Sequence, residues 1–348
     1  MLSFTSDYQE GAHASIVNAL VRSNLEQTAG YGLDEYTASA KARIRRAADC
    51  PDAAVFLLVG GTQTNSIVIG SILKCYQGVL AADTGHVSLH EAGAIEAGGH
   101  KVLTVPSADG KIKAAQIARA WKDFTEDDNR DHMVMPGLVY ISQPTEAGTL
   151  YSLKELTEIS ETCRSVGLPL YVDGARLAYA LASPENDVTL PDLARLCDAF
   201  YIGGTKCGAL FGEAVVLPDP SLIPHFFTII KQKGALLAKG RLLGIQFAEL
   251  FRDDLYLTIG SDAIRYARRI EQALSESGYP LAPATPTNQV FAVMTKEKMN
   301  ELLQYAAFEF WAFLDETHIV VRFATSWATT EEDTNELVRI LKAHPANA

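Results

Sequence analysis

The sequence predicts an α/β protein with a mostly parallel sheet in a large domain and a smaller α+β domain after it. Three observations lead there. Short apolar runs alternate with helix-like stretches from about residue 53 to residue 250. Two of those runs end in glycine next to a charged side chain, as strands do where they face a ligand crevice. Beyond about residue 255 the alternation stops, and prolines and short strand-like runs take over. The expected division is a large domain over 15–255 and a small one over 256–348 joined by residues 1–14.

The elements follow in order. Ala53–Val59 (AAVFLLV) reads as a buried strand, and Thr62–Cys75 as the helix after it. Pro136 leads into GLVYIS, a strand ending at Ser142. Ser152–Val166 reads as a helix: Ser152 is an N-cap with Glu155 three residues on, and Gly167 stops it. Leu168–Val172 and Asp198–Ile202 are further strands. Strand–helix–strand spacing of this kind requires crossovers, hence a parallel sheet covered on both faces. The charged stretch WKDFTEDDNRD (121–131) reads as a solvated loop. The small domain opens with a helix over Ile259–Ser277 and three prolines, Pro280, Pro283 and Pro286. Strands at Gln289–Met294 and His318–Thr325 and a closing helix from Thr330 to Ala343 complete it.

Composition narrows the function. The chain has 348 residues, 48% of them hydrophobic, enough for a large core. Its 42 acidic and 30 basic residues give a net charge of −12, which repels nucleic acid and anionic lipid. Five scattered cysteines, with no CxxC pair, read as reduced thiols. No basic flank precedes an apolar stretch at the N-terminus, and no run reaches the roughly 20 apolar residues of a membrane helix. A cytoplasmic protein is expected.

Three segments carry chemistry. In Tyr171-Val-Asp-Gly-Ala-Arg176, Asp173 stands at a strand end, where it either meets a ligand or caps the next helix. In Tyr201-Ile-Gly-Gly-Thr-Lys-Cys-Gly208, two glycines precede Lys206. The glycines let a ligand approach the backbone, and apolar surroundings would make the amine a Schiff-base nucleophile; the plain alternative is an exposed turn lysine. In Gly60-Gly-Thr-Gln-Thr-Asn65, backbone N–H groups at a helix start could cradle a phosphate, or the glycines serve an ordinary loop. His86-Val-Ser-Leu-His90 has the spacing of a zinc pair, but Val87 stands where the metalloprotease pattern needs Glu, so no metal is expected. Cys207 reads as a packing residue.

Together these segments resemble the pyridoxal-phosphate enzymes with the aspartate aminotransferase type of fold. Within them the chain is similar to threonine aldolases and the aromatic amino acid β-eliminating lyases. The resemblance rests on SDYQEGAH (6–13), YGLDEYT (31–37), GGTQTN (60–65), GHVSLHEAGA (85–94), VDGAR (172–176), GGTKCG (203–208), GEAVV (212–216) and VRFATSW (321–327). It implies pyridoxal 5'-phosphate as cofactor, carried on Lys206, with Asp173 on the pyridine nitrogen and Gly61 and Thr62 at the phosphate. By the same resemblance His86 stacks on the ring, Arg176 contacts cofactor and substrate, and Ser6 and Arg322 receive the substrate carboxylate. Lys231 and Arg241 would reach a phosphate, across a subunit interface. Many threonine aldolases carry a histidine in the loop after GLVYIS; this chain has Glu146 there, which would take the proton of the substrate's β-hydroxyl. Lys206, His86, Asp173 and Glu146 would thus carry catalysis. The implied reaction is retro-aldol cleavage of an L-β-hydroxy-α-amino acid, threonine or allo-threonine, to glycine and acetaldehyde, in a homodimer or homotetramer with shared active sites. A β-eliminating lyase, a phenylserine-type aldolase and a fold retired to binding are the alternatives.

Overall fold

The computed structural model describes residues 2–282 and 285–346. Twelve strands occur among them: β1 (Leu2–Ser3), β2 (Ala54–Leu58), β3 (Gln77–Ala82), β4 (Val102–Val105), β5 (Met135–Ser142), β6 (Leu170–Asp173), β7 (Ala199–Gly203), β8 (Glu213–Leu217), β9 (Gln289–Thr295), β10 (Ala306–Ala307), β11 (Glu309–Phe313) and β12 (His318–Ala324). Seven form one sheet in the order β2-β8-β7-β6-β5-β3-β4. All neighbours run parallel except β8, which is antiparallel to both β2 and β7. Since β8 opposes both its neighbours, β2 runs the same way as β7. The carboxyl ends of β2, β3, β5, β6 and β7 therefore share one edge of the sheet. Leu58 and Gly203 are both in register with Glu213, and Ser142 with Asp173, at that edge.

Alternation along the strands divides the core. Leu58, Leu138, Tyr140, Tyr171, Tyr201 and Val215 point to one face, beneath helices Gly61–Ile72 and Phe226–Gln232. Val55, Val139, Ile141, Val172, Phe200 and Val216 point to the other, which helices Glu35–Ala47, Leu153–Val166 and Arg241–Leu250 cover. Burial on both faces explains why these strands read as continuous apolar runs. Helix Leu153–Val166 has the expected capping box of Ser152 and Glu155, and it ends at Gly167 with φ +70°.

The small domain pairs β11, β12 and β9 in an antiparallel sheet. Helices Ser261–Glu276 and Glu331–Ala343 pack on it through Ile270, Leu274, Leu337 and Leu341. The N-terminus joins this body: β1 runs beside β10, and Phe4 lies in its core. Helix Ser261–Glu276 links the two bodies, because Ala263 and Ile264 near its start pack in the large core.

The segment 121–131 departs from the loop expectation. Residues 121–125 close helix Ala114–Thr125, and Arg130–His132 form a short 3-10 turn. Trp121 packs against the large core, and that anchoring of one helix face outweighs the polarity of the rest. The helix after β2 stops at Ile72 rather than Cys75, because Leu73 is already extended (φ −75°, ψ 141°). Of the three prolines before β9, Pro283 lies outside the described residues.

Candidate active site

Asp173, the last residue of β6, is buried at the shared edge. Its Oδ2 accepts from Tyr140 Oη at 2.6 Å and Asn65 Nδ2 at 3.0 Å, and its Oδ1 from the Ala175 N–H at 2.9 Å. Burial raises its pKa, but the charge of His86 and the hydrogen bonds of Tyr140 and Asn65 outweigh that and leave it below the usual carboxylate range. The carboxylate is thus an anion held ready for a cation. The close turns on either side need glycine: a Cβ on Gly174 would come within 2.0 Å of the Tyr201 carbonyl, and one on Gly203 within 2.3 Å of the Ala175 carbonyl.

Asn65, on helix Gly61–Ile72, ties this carboxylate to a second one. Its Nδ2 also donates to Glu91 Oε1 at 2.7 Å, and its Oδ1 accepts from Tyr171 Oη at 2.9 Å. Glu91 Oε1 in turn holds His86 Nδ1 at 2.7 Å. Burial lowers the pKa of His86, yet the Glu91 hydrogen bond and the charges of Glu146 and Asp173 raise it further, so the net shift is upward. His86 follows the carboxyl end of β3 as the first residue of a short helix.

The helix Gly61–Ile72 begins without a side-chain cap, and its first main-chain bond is Thr64 N–H to Gly60 carbonyl. The N–H groups of Gly61 and Thr62 have no acceptor among the described residues and lie beside the Thr62 hydroxyl, a donor set for an anion. The buried Tyr201 hydroxyl, close enough to Asp173 to help lower its pKa, makes no hydrogen bond of good geometry among the described residues and lies 3.2 Å from the Cβ position of Gly61. A buried anionic carboxylate at one end and an uncapped helix start at the other fit a pyridine ring bearing a phosphate.

Lys206 is half-buried in the turn between β7 and β8, its Nζ 5.9 Å from the ring centre of Tyr8. Tyr179 Oη fixes the turn by donating to the Lys206 carbonyl at 2.7 Å. Glu213 sits beneath it, fully buried, accepting from the Gly204 N–H at 3.1 Å and Thr205 Oγ1 at 2.8 Å. Burial pushes the Glu213 carboxyl up to about 8. Cys207 is buried, and burial raises its thiol to about 12, which fits packing.

The N-terminal segment brings two arginines in. Arg176 is buried and gripped by Asp7 through Nε–Oδ2 (2.7 Å) and Nη2–Oδ1 (3.0 Å), while its Nη1 faces Glu146 Oε2 at 3.8 Å. Asn288 Nδ2 also donates to Asp7, at 2.9 Å. Arg322, on β12, donates from Nη1 to Gln289 (2.9 Å) and from Nη2 to the Thr5 carbonyl (3.1 Å) and Glu309. Its Nε is buried and has no partner among the described residues, and its guanidinium lies 4.9 Å from the Trp311 ring centre. Ser6 is buried between Thr5 and Asp7.

Lys206, Asp173, Gly61, Thr62, His86, Arg176, Glu146, Arg322 and Ser6 are thus linked by contacts or chain adjacency around one sheet edge. Lys231 and Arg241 are placed differently. Lys231 Nζ lies over Tyr31 at 4.2 Å, and Arg241 donates to the carbonyls of Glu26 (2.6 Å) and Asn24 (3.1 Å). Sequence reasoning gave no role to Asp7, Asn65, Glu91, Tyr140, Glu309 or Trp311. Asp7 and Asn65 stood inside the quoted segments SDYQEGAH and GGTQTN, a signal that could have found them.

Comparison with known proteins places the chain in a family. The beta-eliminating lyase family model matches residues 3–297. A low specificity L-threonine aldolase of Pseudomonas aeruginosa is 31% identical over 342 residues, 97% of this chain and 96% of the relative. A threonine aldolase structure from Leishmania major has a TM-score of 0.95 at 43% identity, covering 99% of both chains. An aspartate aminotransferase from Thermus thermophilus shares the fold at a TM-score of 0.73 and 15% identity, with 99% of this chain and 91% of that one covered. With the family model matched over residues 3–297 and a relative 31% identical over 97% of the chain, the chain belongs to the beta-eliminating lyase family.

Proposed function

We propose that the protein uses pyridoxal 5'-phosphate to cleave an L-β-hydroxy-α-amino acid, threonine or allo-threonine, to glycine and acetaldehyde. The observation that carries this reading is the convergence of Lys206, ionised Asp173 and the uncapped start of helix Gly61–Ile72 on one sheet edge, with two arginines opposite. The names of the Pseudomonas and Leishmania relatives support the substrate class.

When bound, the cofactor supplies an electron-poor ring that withdraws charge from the substrate's Cα. Lys206 would hold it covalently and yield to the substrate's amino group. Asp173 would keep a proton on the ring nitrogen, since an anion beside that nitrogen favours its charged form. The Gly61 and Thr62 N–H groups and the Thr62 hydroxyl would hold the phosphate, and His86 would cover the ring face. Ser6 and Arg322 would take the α-carboxylate. Both Nη2 hydrogens of Arg322 are engaged, by Thr5 and Glu309, so a two-point grip on a carboxylate needs Glu309 to swing away. Arg176, fixed by Asp7, would orient the cofactor and substrate from the other side. Glu146 lies beside Arg176, its Oε2 3.8 Å from Nη1.

We also propose a homodimer or homotetramer with shared sites. Val17, Val21, Leu25 and Leu33 form an exposed apolar set near the N-terminus, and Leu25 is 92% exposed. Lys231 and Arg241 lie on the same flank, by Tyr31, Asn24 and Glu26, and would reach the phosphate of a neighbouring subunit. Five free cysteines, one of them exposed, suit a reducing compartment, and the cytoplasm is the proposed location.

The test is an amino-acid panel against the purified protein, scoring both product pairs. Glycine with an aldehyde from threonine supports the aldolase. Ammonia with a keto acid would move the protein to the β-eliminating reaction. Cleavage confined to phenylserine would move it to bulkier side chains.

A further inference from the structure

Three polar side chains flank the space between His86 and Arg322, and two are already engaged. His86 Nδ1 is tied to buried Glu91 at 2.7 Å. Glu146 Oε2 lies 3.8 Å from Arg176 Nη1. The third is His90, whose ring nitrogens have no hydrogen-bond partner among the described residues, its backbone N–H bonding instead to the His86 carbonyl at 2.9 Å. The ring centre of His90 lies 5.8 Å from that of His86 and 5.8 Å from that of Trp311. Trp311 in turn packs 4.9 Å from the Arg322 guanidinium. His90 therefore stands between the side chain that would cover the cofactor ring and the group that would seat the α-carboxylate. An amino acid joined to a ring beneath His86 and seated by its carboxylate on Arg322 would have His90 beside the space left for its β-substituent.

We propose that His90 is the catalytic base that takes the β-hydroxyl proton, with Glu146 as the carboxylate that steadies the charge His90 then carries. The inference rests on the aldolase reading above. The charged groups acting on His90 are the anion Glu146 and the cations His86, Arg322 and Arg176. Burial lowers its pKa first, Glu146 raises it, and the three cations lower it, for a net shift below 6.5. The ring is then neutral at neutral pH and free to accept a proton. The step balances without a further reactant. The hydroxyl proton passes to the imidazole, and the O–H pair becomes the second bond of the aldehyde carbonyl. The Cα–Cβ pair stays with Cα, where the bound cofactor would supply the electron sink, and Cα would take a proton from solvent to give glycine. The exposed ring of His90 returns its proton to solvent.

The experiment uses the holoenzyme and its His90→Ala variant. Threonine cleavage is followed against pH, with and without added imidazole, and the glycine dissociation constant is read from the cofactor's absorbance. Glycine has no β-hydroxyl, so its binding reports the site without the proton step. Expected is a loss of roughly 10²–10⁴-fold in cleavage, with glycine binding unchanged. Imidazole should restore part of the rate, following its own free-base fraction, and the acid limb of the wild-type profile should vanish without it. Glu146→Gln should cost less, roughly tenfold, the worth of about one pKa unit. Cleavage at the wild-type rate, an acid limb that persists, a loss that imidazole does not restore, glycine binding that weakens in step, or a larger loss in Glu146→Gln would each overturn the assignment. A wild-type enzyme that releases no aldehyde would instead remove the aldolase reading on which it stands.

Discussion

Replacing Asp173 by Asn tests the anion at the heart of the site with the least change of shape. Asp173 Oδ2 accepts two donors, Tyr140 Oη and Asn65 Nδ2, and Oδ1 accepts the Ala175 N–H. An amide has one acceptor and one donor end. Whichever way the new amide turned, its NH₂ would meet at least one buried donor, leaving groups unpaired at a cost of about 1–3 kcal/mol. The lost charge removes the support of a protonated ring nitrogen, worth about 1–3 pKa units, or ~1.4–4 kcal/mol. Taken on the transition state, the charge alone gives a loss of ~10- to 10³-fold, and we expect on the order of a hundredfold or more in kcat/KM for threonine. The assay is coupled acetaldehyde release, beside the absorbance of bound cofactor and a thermal melt. Most of the cofactor should remain, and Tm should fall modestly. Turnover near the wild-type value in a cofactor-loaded variant would refute the role given to Asp173.

Other expectations follow from the same geometry. Asp7 is buried; burial raises its pKa, but Arg176, Lys206 and Asn288 more than offset that and hold it below 3.8. A depressed carboxylate contributes stability that is present above the unfolded pKa and lost as pH falls through the folded one, so Asp7→Asn should flatten the stability loss below pH 3.8 while costing about 3–5 kcal/mol at neutral pH; an unchanged denaturant midpoint at pH 7 would contradict this. Glu213 is the opposite case: with its carboxyl at about 8 against a usual 4.5, the folded state holds a proton that the unfolded chain releases. Wild-type stability should therefore fall as pH rises from 4.5 to 8, and Glu213→Gln should abolish that slope in urea titrations across this window. Arg322→Lys keeps the charge and loses the fork, and it should weaken glycine binding by about 1.5–3 kcal/mol, roughly ten- to a hundredfold, read by titrating the cofactor's absorbance.

The parts of the molecule that were legible in the sequence were local. Ser152 and Glu155 sit three residues apart and cap one helix; Asp173 ends one apolar strand and Lys206 comes three residues after another. The rest depended on distance or direction. Asp7 and Arg176 meet across 169 residues, Asn65 and Asp173 across 108, and no spacing rule connects them. Strand β8 reads as EAVVL, an apolar run that looks the same whether the strand runs up or down, so its reversal beside β7 was invisible. Partly buried Trp121, continuing the apolar face of Ile117, carried the helix into a charged stretch whose composition read as loop. His90 was readable as half of an apparent metal pair and as one alternative to Glu146 for the β-hydroxyl proton; its place between His86 and Trp311 needs β11, which no sequence signal had announced.

The central claim is that Lys206 carries the cofactor at this sheet edge, and one measurement addresses it most directly. The holoenzyme is reduced with borohydride, digested, and its peptides are mapped by mass. The account predicts the pyridoxyl group on Lys206, within the peptide that contains GGTKCG, and loss of the labelled peptide in Lys206→Ala. A label on Lys74, Lys231 or any other lysine, or none at all in a protein that still cleaves threonine, would contradict it.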